Sequence, residues 1–287
     1  MRQLRRDRQF TIFILVCSFF FTACGGFTAG VGKIEKELKP DEVESLLLAL
    51  KTKNHDLGTC KGVGRLTLYR DGRKNLSSRL AWIAAAPDRI RAVLSSVSGQ
   101  PLFSFASDGQ WFYFFDHSQQ QFHKQHENRN IMKTTFSVSV EFDDIISILF
   151  GNIPVHQYRS AALLSNKYSQ QKTPTSLQQP LTPAQPEAST AAEDEYTLVL
   201  KRSWGNVREK IFFYGSNKDI RKIEVFSLTG ELAYRAELRK MQNVDGYRVP
   251  AVVVFSNGEG SGFRLEIERY WPQVHVSPSM FVLPAKP

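Results

Sequence analysis

The chain has 287 residues with 37 Lys and Arg against 28 Asp and Glu, a formal net charge of +9. Its length suits one large domain or two small ones. Three cysteines, Cys17, Cys24 and Cys60, exclude a disulfide framework once the N-terminal segment is understood.

That segment comes first in the chain. Arg2, Arg5, Arg6 and Arg8 precede TIFILVCSFFFTA, thirteen uncharged and mostly apolar residues. A membrane-spanning helix needs about 20 such residues; a basic stretch, a short apolar stretch and a small residue before a break make a secretory signal instead. Phe21-Thr22-Ala23-Cys24 resembles the bacterial lipobox, with Phe21 where an aliphatic residue is usual. The expectation is a signal over 1–23, cleaved before a Cys24 that carries covalent diacylglycerol and an N-acyl group. Removing the signal takes four arginines and one aspartate, so the formal charge of the remaining 264 residues is +6. Export, and the lack of a Lys/Arg run with interleaved aromatics, argue against nucleic acid as partner. Cys60 is left alone, best read as a small buried apolar residue.

Residues 24–39, Gly-rich then polar, read as a flexible tether. PDEVESLLLALKTKN then predicts a helix: Val43, Leu46, Leu47 and Leu50 make one apolar stripe, acidic residues fill the first turn and lysines the last. From Cys60 the period becomes two. Strands are predicted at 65–69, on either side of the Asp71-Gly72 turn up to Trp82, around 90–94, at 102–105, and at WFYFFD (111–116) after Asp108-Gly109. EFDDIISILFGNIPV predicts a second helix, capped by Asp143 or Asp144 and stopped by Gly151 and Pro154. Residues 165–195, almost free of large apolar side chains, read as a disordered insertion. Strands resume at YTLVLKRSW, KIFFYG, KIEVFS, ELAYRAELRK, AVVVFS and FRLEIERY, and the tail ends extended. The sum is one mainly β domain over 40–287, α+β in class, antiparallel, with about two helices and one interruption.

No catalytic constellation assembles. Asp143-Asp144 is explained by a helix start; His117, His123 and His126 match no zinc spacing; no GxSxG is present. The expectation is a protein that is not an enzyme and holds no metal or cofactor. Twenty-one Phe, nine Tyr and four Trp concentrate on the strands. They either fill a β core or line a pocket fit for acyl chains.

GVGRLTLYRDG, LAWIAAAPDRIRAVL, SGQPLF, SDGQWFYFFD, DDIISILFGNIPV and VPAVVVFS…FRLEIERYWPQVHVSPSMFVLP, in that order behind a lipobox, resemble the lipoprotein-localisation family of LolA and LolB. The resemblance covers most of 40–287 outside the insertion. It implies an incomplete antiparallel β-barrel, a strongly curved sheet whose open side is covered by helices over a cavity for lipoprotein acyl chains. Candidate lining residues are Trp82, Phe103, Phe105, Trp111, Tyr113, Ile146 and Leu149. The lipidated start favours the LolB type, an outer-membrane receptor on the periplasmic face whose apolar loop hands lipid to the membrane. SVSGQPLF stands for that loop, with Val97 or Leu102 at its tip. Where the soluble LolA type carries a lid-holding arginine before the proline of PDRIR, this chain has Ala86. The implied partners are outer-membrane lipid, acylated lipoprotein cargo and a soluble periplasmic carrier, with the chain itself a monomer. The alternative is an envelope lipoprotein using the same fold as a scaffold or sensor.

Overall fold

The computed structural model describes residues 35–37, 40–126, 131–166, 195–215 and 219–285. Cys24 with most of the expected tether, and 167–194 within the expected insertion, lie outside the described residues.

β1 (Glu35–Glu37) leads into α1 (Pro40–Thr52), which buries Val43, Leu47 and Leu50 and carries Asp41 and Glu42 in its first turn. A meander follows: β2 (Thr59–Arg70), β3 (Arg73–Ala85), β4 (Arg89–Ser95), β5 (Pro101–Asp108), β6 (Trp111–Asp116) and β7 (Gln121–His126). Asp71 and Gly72 both have positive φ, the left-handed pair that a two-residue hairpin turn requires. Then come the helices α2 (Ile131–Phe136) and α3 (Phe142–Leu149). β8 (Ser160–Asn166) and β9 (Glu195–Lys201) are the arms of one antiparallel pair. They are followed by β10 (Val207–Tyr214), β11 (Asp219–Phe226), β12 (Leu232–Val244), β13 (Tyr247–Ser256) and β14 (Gly262–Pro272).

The two helices and the main strands read from sequence are all present. The pattern does not anticipate β1, α2, β7 or β8. QFHKQH in β7 is nearly all exposed, so it gives no alternation to read. β8 and β9 reach into the ends of the expected 165–195 insertion, because Ser165 and Asn166 still pair with Tyr196 and Glu195. The tail is not extended throughout: Pro278–Phe281 forms a 3-10 turn.

All the strands join one antiparallel sheet, in the order β1-β8-β9-β10-β11-β12-β13-β14-β2-β3-β4-β5-β6-β7. Its end strands β1 and β7 do not pair with each other, so the barrel is incomplete. α3 packs on both β4 and β13, and its Asp144 bonds Tyr234 on β12. On a flat sheet β12 and β4 would stand about 24 Å apart, at about 4.8 Å per strand. An eight-residue helix is only about 12 Å long. The sheet therefore curls around the helix, which fills its concave side.

Because neighbours alternate in direction, β2, β4, β6, β9, β11 and β13 run the same way and their following turns share one rim. Cross-bonds hold adjacent turns of that rim together: Gly72 N–H donates to Gly260 O at 2.9 Å, and Asp71 N–H to Ser261 Oγ at 3.1 Å.

Candidate functional site

The concave face carries a single large apolar cluster, and the lid helices close over it. Gly62 permits one wall: a Cβ there would run into the Trp82 indole, so only glycine lets that ring lie flat against the sheet. Leu66, Leu80, Trp82, Ile90, Ala92 and Phe105 from the strands meet Met132, Phe136, Phe142, Ile145 and Leu149 from α2 and α3 around a cavity of about 50 Å³. A second cavity of about 180 Å³ lies beside it, lined by Leu68, Leu76, Leu94, Phe103, Phe105, Phe114 and Phe136. Most of these second-cavity residues stand within three positions of the rim turns. The two spaces thus run from the middle of the sheet toward the rim, divided by Phe105 and Phe136. The rings pack in offset and edgewise pairs: Phe105–Phe136 at 6.4 Å, Phe103–Phe114 at 5.6 Å, Phe112–Phe142 at 5.5 Å.

Of the residues expected to line a cavity, Trp82 and Leu149 face the deeper space, Phe103 the rim space, and Phe105 both. Ile146 is buried, but its neighbour Ile145 takes the lining position. Trp111 and Tyr113 are corrections. On β6 they alternate with Phe112 and Phe114 and point to the outer face. There Tyr113 joins Ala106, Phe115 and Leu283 in a small separate cluster, and Lys124 lies over both rings. Val97 is fully exposed at the tip of the β4–β5 turn, whereas Leu102 is half-buried on β5.

The histidines do not converge. His117 Nε2 sits 2.8 Å from Ser104 Oγ, His123 packs on Phe114, and His126 packs on Trp111 across the opposite face of β7. Cys60 has no exposure, and burial pushes its thiol up to about 12, which leaves it unreactive.

A polar group that the sequence reading missed anchors the lid. Asp144 is not a helix cap: Glu141 holds that position and makes no side-chain capping bond. Asp144 is 4% exposed and accepts a 2.8 Å hydrogen bond from Tyr234 OH on β12. Its other oxygen lies 3.3 Å from His156 Nε2, in the segment after α3. His156 Nδ1 lies 3.1 Å from Glu209 Oε2 on β10, which also accepts the His156 backbone N–H at 3.2 Å. Both ring nitrogens thus face carboxylate oxygens, and only the imidazolium can donate from both. Burial works against that charge, but the bonds to Asp144 and Glu209 outweigh it and raise His156 to about 9. Burial also raises Glu209, which is fully buried and whose Oε1 has no partner among the described residues. The two tendencies compete for one proton. The imidazolium is the firmer member, because two carboxylates face it, while Glu209 has only one oxygen satisfied. One signal was available: Glu209 shares its face of β10 with Ile211 and Phe213, an inward position where a lone carboxylate needs a partner.

The Asp144–His156–Glu209–Tyr234 group ties α3 to β10 and β12. No family model matches the sequence, and no curated protein matches it. Among solved structures, the chain is similar to a LolA superfamily protein from Nitrosomonas europaea, 15% identical, with 86% of this chain and 98% of that one covered at a TM-score of 0.51. It is also similar to a DUF1329 family protein from Desulfovibrio piger, 10% identical, covering 84% and 95% at a TM-score of 0.50. At such identities the likeness concerns architecture alone. An unclosed antiparallel sheet curled around lid helices, matched over nearly the whole of a LolA-superfamily chain, gives this protein a LolA-like fold.

Proposed function

We propose that the protein is an outer-membrane lipoprotein, anchored on the periplasmic face through Cys24, that takes acyl chains of lipoproteins or lipids into its apolar cavity and passes them to the membrane. The observation that carries this reading is the pair of apolar cavities that leads from beneath the lid to the rim where Val97 projects. No catalytic residue or cofactor is needed. Cargo would arrive from a soluble carrier and leave to the bilayer, each methylene kept out of water on the way being worth about 0.8 kcal/mol. Val97 at the rim is suited to touch the bilayer first.

Cavity size favours a second reading. Small-molecule sites are about 300–1,000 Å³, and the two spaces are about 50 and 180 Å³. A filled interior would suit a scaffold or sensor for an envelope protein. Titration with a fluorescent fatty acid separates the two. Saturable binding is expected, and Ala92→Leu, which intrudes on the deeper cavity, should weaken it roughly tenfold by displacing about two methylenes. A folded wild-type protein that binds no probe favours the scaffold. The anchor has its own test: Cys24→Ser should shift the protein from the membrane to the soluble fraction after cell breakage, and an unchanged distribution would remove the anchor.

A further inference from the structure

The three most exposed large apolar side chains among the described residues are Val97, Trp204 and Leu228, at 104%, 92% and 80% exposure. All three sit at turn tips on the same rim. Trp204 and Leu228 have no part in the cavity, in the core or in the β4–β5 turn.

Trp204 tops the β9–β10 turn and Leu228 the β11–β12 turn, so the tips are two strand spacings apart, about 10 Å. Each turn is closed by its own bonds, Arg202 N–H to Asn206 O at 2.9 Å and Ser227 N–H to Glu231 O at 2.8 Å. The turns are also fastened to each other. The Arg202 guanidinium donates to Ser227 O at 2.7 Å and to Phe226 O at 3.1 Å, and Arg208 donates to Phe226 O at 2.9 Å. The two side chains therefore project from one rigid platform, with little ordering left to lose on binding.

Arg202 and Arg208 are bonded to carbonyls and, among the described residues, to no carboxylate. Burial and the neighbouring Arg208 charge both lower Arg202, as expected of two cations held close together. Arg159 and Lys201, joined by the Arg159 N–H to Lys201 O bond at 2.7 Å, bring two more cations to this corner. Glu231 is the one acid in the two turns. Further along the rim, Arg70, Arg73 and Lys74 outnumber Asp71 around the β2–β3 turn.

This corner presents its apolar side chains at turn tips. It has two protruding apolar tips on a basic shoulder, which matches a soft anionic surface. Tryptophan settles at headgroup depth, leucine below it, and arginine and lysine meet anionic phosphates. We propose that Trp204 and Leu228 form a second membrane foot that dips into an anionic bilayer, independent of any acyl chain in the cavity. Val97 lies six strands from Leu228 and eight from Trp204 on the same rim. Engaging both would set the rim, and the cavity behind it, against the membrane.

The test uses the full chain with phosphatidylcholine–phosphatidylglycerol vesicles whose acyl chains are brominated. The emission of Trp204, taken as the difference between wild type and Trp204→Phe, should be blue-shifted and quenched. The quenched fraction should fall about tenfold in phosphatidylcholine alone, where the basic shoulder has nothing to meet, and should fall with Leu228→Ser. Unquenched Trp204 on vesicle-bound protein overturns the foot and points to a protein partner for these tips. Intact quenching in a chain that binds no fatty acid would remove the cavity reading and leave the foot standing.

Discussion

His156→Ala is expected to destabilise the fold by about 3–5 kcal/mol, the usual cost of removing one partner from a buried charge group. Asp144 and Glu209 are 4% and 0% exposed, and His156 is the cation between them. Without it, Asp144 keeps only the Tyr234 hydroxyl and Glu209 only a backbone N–H. Either carboxylate must then take a proton or stay charged with little water. Urea unfolding reads the loss directly, as a lower midpoint with an unchanged slope. A loss below about 1 kcal/mol would place the group at the level of a surface ion pair and deny it any role in holding α3. The same group makes stability depend on pH with a defined sign. His156 is raised from 6.5 to about 9, so the folded state holds the proton more tightly than the unfolded state. Its contribution is complete below pH 6.5 and is lost as pH climbs through 9. At about 1.4 kcal/mol per pH unit this is on the order of 3 kcal/mol. The His156→Ala protein should show a much flatter profile over that range. Because the group spans α3, β10 and β12, mildly alkaline conditions should loosen the lid before the sheet.

Particular residues show how far the sequence could be read. The period-two runs of β2 through β5 and β10 through β14 were legible because one face of each is buried, so burial writes itself into alternation. β7 was not, because an exposed edge strand has no face to bury. At the site, the aromatic strands announced an apolar interior, but not which face each ring would take. Trp111 and Tyr113 shared WFYFFD with the inward Phe112 and Phe114, and both faces of β6 are covered, so the run has no polar alternate to set its phase. The lid anchor failed for another reason. Asp144 stands where a capping residue would, and His156, Tyr234 and, through His156, Glu209 come from three other segments. Only the curl of the sheet joins them.

Phe136→Ala is expected to strengthen fatty-acid binding roughly 30-fold while costing about 2 kcal/mol of stability. A fully buried Phe→Ala change costs about 3–5 kcal/mol, and Phe136 is only half-buried at the end of α2. Its ring stands against Phe105 and, at 5.6 Å, against Phe263, and it borders both cavities. Removing the ring joins the spaces of about 50 and 180 Å³ into one and adds the volume the ring occupied. Two to three further methylenes of a bound chain would then be buried, at about 0.8 kcal/mol each. A chain that fits the wild-type protein only after Phe136 swings aside would no longer meet that cost. Affinity and stability should therefore move in opposite directions, which a plain core residue would not produce. Fluorescent-probe titration beside urea unfolding reads both quantities on one protein. Lower stability with unchanged affinity would make Phe136 a packing residue of a filled interior. The opposed pair of changes would make it the partition that keeps the resting cavity smaller than its cargo.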